Sequence, residues 1–123
     1  MVDVQGRKHR GYKSQDILAQ FLAEHGFPYA LSAGAGRTGS DVTGTIGIDW
    51  EVKARRGFPV TQTMNQLEER AEDGLVGIAV LRPDGWGAAN IHKWPAIVPL
   101  HVIVTLLREA GYGDPIQKLE GEK

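Results

Sequence analysis

Residues 40–53 read S-D-V-T-G-T-I-G-I-D-W-E-V-K, and the rest of the chain is arranged around them. The stretch reads as two short β-strands joined by a glycine turn, because Gly44 and Gly47 permit the positive φ angles that tight hairpins require. The second strand alternates. Ile46, Ile48, Trp50 and Val52 fall on one side, and Gly47, Asp49, Glu51 and Lys53 on the other. A hairpin pivoting about residues 45 and 46 sets Asp41 across from Trp50 or Glu51, which gathers Asp41, Glu51 and Lys53 into one small patch. Two carboxylates and an ammonium on a rigid sheet are the parts for metal-assisted phosphodiester hydrolysis. The carboxylates hold Mg²⁺, for which Mn²⁺ can substitute, and the lysine orients or helps deprotonate the attacking water. An acid-x-lysine triplet alone is a weak signal, since exposed strand faces alternate charges simply to meet solvent. The aspartate at hairpin distance and the helices expected on both sides strengthen it.

Upstream, residues 5–13 read Q-G-R-K-H-R-G-Y-K. Arg7, Lys8, Arg10 and Lys13 read either as a solvated, partly disordered terminus or as an arm that grips phosphates with salt-sensitive affinity. A first helix is expected from about Tyr12 to His25, stopped by Gly26 and Pro28, with Ile17, Leu18, Phe21 and Leu22 as its core stripe. Gln15 shares an edge of that stripe, so it either bonds within the core edge or reaches the metal site. Tyr29 to Leu31 reads as a first strand. Residues 32–40, S-A-G-A-G-R-T-G-S, form a loop without a nucleotide-binding glycine fingerprint, so no nucleotide cofactor is expected. Ser32 and Arg37 in that loop are placed to touch a DNA backbone.

Downstream, Arg55 and Arg56 put a basic rim just past the acidic centre. Thr61 or Thr63 is expected to cap a second helix that runs to about Asp73 and ends at Gly74. Met64, Leu67 and Ala71 form its thin apolar stripe, and Gln62 or Gln66 is a candidate to look into the site, Gln66 the more so. The run V-G-I-A-V-L at 76–81 reads as a strand buried on both faces. Pro83-Asp84-Gly85 is a turn, and Trp86 to Ile91 is expected to return as another strand. Trp86 and Trp94 read as core or dimer-interface residues, and His92 and His101 as structural or surface ones. A last helix is expected over Leu100 to Ala110, closed by Gly111, with Ile103, Val104 and Leu107 packing inward. The fold class is α/β, a central mixed sheet flanked by helices.

The 123 residues suffice for a single domain spanning 1–123, with flexible ends at 1–6 and 114–123. No cysteine is present, so neither a disulfide nor a thiolate zinc site is available. The polar, basic N-terminus is not followed by an apolar stretch, and the longest apolar run, 96–107, is too short to span a bilayer. A cytoplasmic protein with no membrane partner is the expectation. The net charge of −1 is unevenly spread: residues 1–56 carry 8 Lys/Arg against 6 Asp/Glu, and residues 57–123 carry 6 against 9. The basic half is the half that holds the candidate site, and local clusters matter more to a phosphate backbone than the total does.

The chain resembles the PD-(D/E)xK nuclease superfamily, specifically the Holliday-junction resolvases of archaeal type and related phage proteins. The resemblance is carried by R-K at 7–8, Gly11, H-G-F at 25–27, S-A-G at 32–34, S-D-V at 40–42, E-V-K at 51–53 and L-L-R-E-A-G-Y at 106–112. It is tightest over residues 7–56. It implies a restriction-endonuclease-like core and Mg²⁺-dependent cleavage of branched DNA, four-way junctions above all, by a two-fold homodimer in a prokaryotic or phage-infected cell. It also implies Asp41 and Glu51 as metal ligands, Lys53 as the water-orienting lysine, and Ser32 as a loop serine near the junction. Two positions depart from the family. Gln15 stands where archaeal relatives have a glutamate, with Asp16 adjacent, and Ser40 replaces the motif's proline. A nicking or restriction-type nuclease with another DNA substrate is the alternative enzyme. A catalytically weakened DNA-binding module is the alternative outside enzymes, and a small-molecule enzyme finds no cofactor fingerprint.

Overall fold

A computed structural model of the chain describes residues 4–34, 39–54, 57 and 59–113, with 4–10 described by backbone alone. The elements in order are α1 (Val4–Glu24), β1 (Leu31–Ser32), β2 (Val42–Thr43), β3 (Ile48–Lys53), α2 (Val60–Glu72), β4 (Val76–Leu81), a 3₁₀ helix (Ala88–Lys93), β5 (Ala96–Ile97) and α3 (Leu100–Glu109). The α/β expectation holds. β4 is the central strand, parallel to β3 and antiparallel to β5, so the three-stranded sheet is mixed, and β1 and β2 form a separate antiparallel pair.

The alternation read in residues 46–53 divides the sheet into two unlike faces. Trp50 packs in the core with Leu18, Ala19 and Leu22 of α1, Val42, Val80 and Trp94, and Ile48, Val52 and Ile78 flank them. The opposite face carries Asp49, Glu51 and Lys53, which pair in register with Gly77, Ala79 and Leu81 of β4. Residues in register share a face, so the acidic row of β3 lies beside two small residues of β4. Those small residues let α2 come close. A Cβ built on Gly77 would sit 3.1 Å from the carbonyl oxygen and 3.2 Å from the Cα of Leu67, a residue only 1% exposed.

Several expectations are corrected. The hairpin does not close as a β2–β3 ladder, because β2 spends its hydrogen bonds on β1, with Leu31 opposite Thr43 and Ser32 opposite Val42. Ile46 is a fully exposed turn residue rather than part of β3. The first strand is Leu31–Ser32, and Tyr29 precedes it, exposed. α1 begins at Val4 instead of Tyr12, so Arg7, Lys8 and Arg10 lie on a helix and not on a flexible arm. α2 has no side-chain cap; Thr63 is wholly buried inside it and Ala71 is exposed. The return strand expected over Trp86 to Ile91 is the 3₁₀ helix. Asn90 Oδ1 accepts the Gly87 N–H at 2.9 Å, which fixes a helical turn there, and the chain rejoins the sheet only after Pro95. On α3, Ile103, Val104 and Leu107 do not pack inward and are 37%, 48% and 44% exposed.

Arg82 ties the two layers together. Its Nη1 donates to the buried Ser14 hydroxyl of α1 at 3.0 Å, its Nε donates to the Trp86 carbonyl at 2.6 Å, and its guanidinium lies 5.7 Å from the Trp94 ring centre. Among the described residues no helix is long and apolar enough to cross a membrane.

Candidate active site

The site is built at the free edge of β3, where residues 40 and 41 run alongside it. The Asp41 N–H donates to the Trp50 carbonyl at 2.8 Å, and the Trp50 N–H donates to the Ser40 hydroxyl at 2.8 Å. That hydroxyl in turn donates to the Val42 carbonyl at 2.6 Å. Ser40 therefore supplies with its side chain a strand-edge acceptor, a service that a proline at this position lacks. The Val52 N–H then donates to Asp41 Oδ2 at 2.7 Å, which fixes the carboxylate beside the strand between Glu51 and Lys53.

Glu51 and Lys53 lie two apart on the strand and face the same way. Lys53 Nζ is 3.4 Å from Glu51 Oε2, and the two side chains are 15% and 20% exposed. Arg70 approaches from α2. Its Nε lies 3.1 Å from Asp49 Oδ1, as an ion pair without hydrogen-bond alignment, and its Nη2 lies 3.9 Å from Glu51 Oε1. Burial pushes the Asp41 carboxyl up to about 6 from 3.8; the neighbouring Glu51 and Asp49 charges add to the rise, and the Val52 N–H and Lys53 oppose it. The rise is set mainly by loss of solvent around the carboxylate, with like charge the smaller part.

Of the expected site residues, Asp41, Glu51 and Lys53 come together. Gln15 and Ser32 form a second, adjoining pair: the Ser32 hydroxyl donates to Gln15 Oε1 at 3.3 Å. Ser32 is opposite Val42, and the next residue, Ala33, donates its N–H to the Asp41 carbonyl at 2.9 Å. Gln15 therefore adjoins the acidic centre through β1, with its amide oxygen already engaged. Asp16 does not take its place, since it faces an open groove with Tyr12, Lys13, Ile17 and Gln20. Lys13 shares that groove, 200° around α1 from Gln15 by helix geometry. The side chains of Arg7, Lys8 and Arg10, and all of Arg37, Arg55 and Arg56, lie outside the described residues. Of the two α2 glutamines, Gln62 is exposed, while Gln66 Oε1 is buried without a hydrogen-bond partner among the described residues.

Sequence reasoning missed Arg70. It also left Asp49 without a role, although Asp49 is 5% exposed and belongs to the same charged cluster. The i, i+4 spacing of Gln66 and Arg70 was the available signal, since it places Arg70 on whichever helix side Gln66 takes.

Among the described residues no three His, Cys, Asp or Glu side chains form a ready-made metal cage. The donors that are present fit a hard cation nonetheless. Mg²⁺ is commonly held by one or two carboxylates, keeps several waters and completes its shell with substrate phosphate. Asp41 and Glu51 meet that requirement, and a cation there would offset the loss of solvent that chiefly raises Asp41. The chain matches no protein-family model, no curated protein and no solved structure.

Proposed function

We propose that the protein is a Mg²⁺-dependent endonuclease of PD-(D/E)xK type with a restriction-endonuclease-like core, and that its substrate is branched DNA, most of all the four-way junction. The observation that carries the reading is the Val52 N–H to Asp41 contact of 2.7 Å, which sets Asp41 beside the strand bearing Glu51 and Lys53. Asp41 and Glu51 would hold the cation, which when bound supplies Lewis-acid polarisation of the phosphate and a more acidic water. Lys53, kept near Glu51, holds its ammonium where it can orient that water or meet charge growing on the phosphate. Gln15 and Ser32 position the Asp41 segment from the other side. The basic residues Arg7, Lys8, Arg10, Lys13, Arg37, Arg55 and Arg56 are proposed to hold the DNA backbone.

A two-fold homodimer suits a substrate with two strands to be nicked symmetrically. The exposed apolar residues of α3 support a self-contact, because large apolar patches on a folded surface mark interfaces. A second reading, a DNA-binding module weakened in catalysis, draws support from Gln15, a neutral amide already bonded to Ser32.

The test is cleavage of a synthetic four-way junction and a matched linear duplex, with Mg²⁺ or EDTA, by wild type and Lys53→Ala. Metal-dependent, symmetric nicking of the junction alone, lost in Lys53→Ala, is the expected result. Equal cutting of both substrates would leave a nuclease of another specificity. Tight junction binding with no cutting in Mg²⁺ or Mn²⁺ would favour the binding module.

A further inference from the structure

α2 follows β3 and leads back into the parallel strand β4, so it runs opposite to β3 across the acidic face. Because Gly77 and Ala79 leave no bulk beneath it, the helix sits low enough for one side chain to reach over β4 to β3. That side chain is Arg70. It meets two of the carboxylates in the cluster: Asp49 at 3.1 Å and, more loosely, Glu51 at 3.9 Å. Asp49 is nearly buried, with its side chain 7% exposed, and a buried carboxylate needs a permanent counter-charge. Arg70 is 27% exposed and provides it. Unlike lysine, a guanidinium keeps its charge at any accessible pH and presents its donors as a planar fork, so it can serve two carboxylates at once.

We propose that Arg70 is a positioning residue that acts as a fixed internal cation: it withholds Asp49 from metal and limits the site to one divalent ion, held by Asp41 and Glu51. This rests on the metal-site reading above and deepens it by fixing the number of cations. Asp41, Asp49 and Glu51 gather along one strand, and without Arg70 their three negative charges would favour a second cation. With Arg70 in place the positive charge is already built in on the Asp49 side. The open side is then the Asp41 edge, where the Val52 N–H holds the carboxylate at 2.7 Å.

The experiment is Mn²⁺ binding to the whole chain, followed by calorimetry and by the electron paramagnetic resonance signal of free Mn²⁺, without DNA and independent of cleavage. Wild type is expected to bind one ion per chain. Arg70→Gln is expected to bind a second ion, because the positive charge that holds Asp49 is gone. Arg70→Lys restores the charge and should return binding to one ion. If Arg70→Gln leaves Asp49 unpaired and the chain fails to fold, the double variant Asp49→Asn, Arg70→Gln removes both charges together. It is expected to bind one ion, more tightly than wild type, since Glu51 has lost a competing cation. Two ions on wild type, a single ion on a folded Arg70→Gln, or unchanged affinity in the double variant would overturn the inference while leaving the metal site standing. No Mn²⁺ on wild type at all would instead remove the metal-site reading, and this inference with it.

Discussion

The backbone N–H of Val52 donates to Oδ2 of Asp41 across 2.7 Å, so the carboxylate is aimed by the same strand that presents Glu51 and Lys53. The placing of Asp41 beside Glu51 is therefore set by backbone geometry and not by two side chains finding each other. Asparagine at 41 keeps an oxygen for the Val52 N–H but gives up the charge. Asp41→Asn is thus expected to fold at least as stably as wild type, since the cost of burying a charge, and the lesser repulsion from Glu51 and Asp49, are relieved. Cleavage should fall by at least ~10²-fold, the scale set by loss of a preorganised electrostatic group. Paired thermal melts and nicking assays check both halves. A variant that melts well below wild type would mean the carboxylate charge is structural.

The raised Asp41 carboxyl gives a pH signature with a definite sign. Its folded value of about 6 exceeds the ordinary 3.8, so the folded state binds the proton more tightly than the unfolded chain does. Its contribution is fully present below about 3.8 and is lost as pH rises through about 6. From this group alone, stability declines across that window. Mg²⁺ prefers the carboxylate, so it should lower the apparent titration midpoint, and metal binding should strengthen as pH rises through the same range. Carbon-detected carboxyl titration by NMR, with and without Mg²⁺, reads this directly. A metal-free midpoint at or below 4 would contradict it.

Two turn glycines that look alike in sequence are expected to differ sharply. Gly44 and Gly47 have φ of +84° and +85°, where any side chain is strained. At Gly44, though, an added Cβ would lie 1.9 Å from the Tyr29 carbonyl oxygen, whereas at Gly47 it would meet nothing within 4 Å. Gly47→Ala should cost about 1–2 kcal/mol from backbone strain alone. Gly44→Ala adds a backbone clash that no rotamer can avoid, so a loss above about 3 kcal/mol is expected. Denaturant melts of both variants test the ranking, and equal losses would mean that the approach of Tyr29 is not enforced.

What was legible in the sequence is what short-range geometry dictates. Strand alternation put Glu51 and Lys53 on one face, and two glycines at hairpin spacing brought Asp41 back to β3. Neither feature needs knowledge of a distant partner. The β1–β2 pairing was missed because apolar alternation does not say which neighbour a short strand chooses, and Ser40 could satisfy β3 with a hydroxyl in place of a ladder. Arg70 was missed for a different reason. Its role follows from how low α2 sits, and that depends on Gly77 and Ala79, residues of another element. Helical periodicity likewise found the apolar stripe of α3 but carries no information on what covers it.

That stripe yields the last prediction. Leu100, Ile103, Val104 and Leu107 fall at i, i+3, i+4 and i+7, one continuous side of α3, and all are exposed. Set antiparallel about a two-fold axis, the row matches itself: Leu100 meets Leu107 of the second copy, and Ile103 meets its Val104. No charged residue interrupts the row, so self-contact brings no like charges together. A helix of ten residues is about 15 Å long and supplies only part of the ~800 Å² per partner that a stable interface needs, so flanking residues such as exposed Tyr112 must join. Val104→Glu should place two carboxylates near the axis and split the dimer, because residue 104 lies next to its own symmetry mate. Light scattering on a sizing column is expected to give twice the chain mass for wild type and the chain mass for the variant, with unchanged secondary structure by circular dichroism. A wild-type chain that runs as a monomer would remove α3 as the self-contact. Junction cleavage then separates two roles for the helix: if the monomeric variant still binds Mn²⁺ but nicks only one strand per encounter, α3 serves symmetry and not the chemistry of Asp41, Glu51 and Lys53.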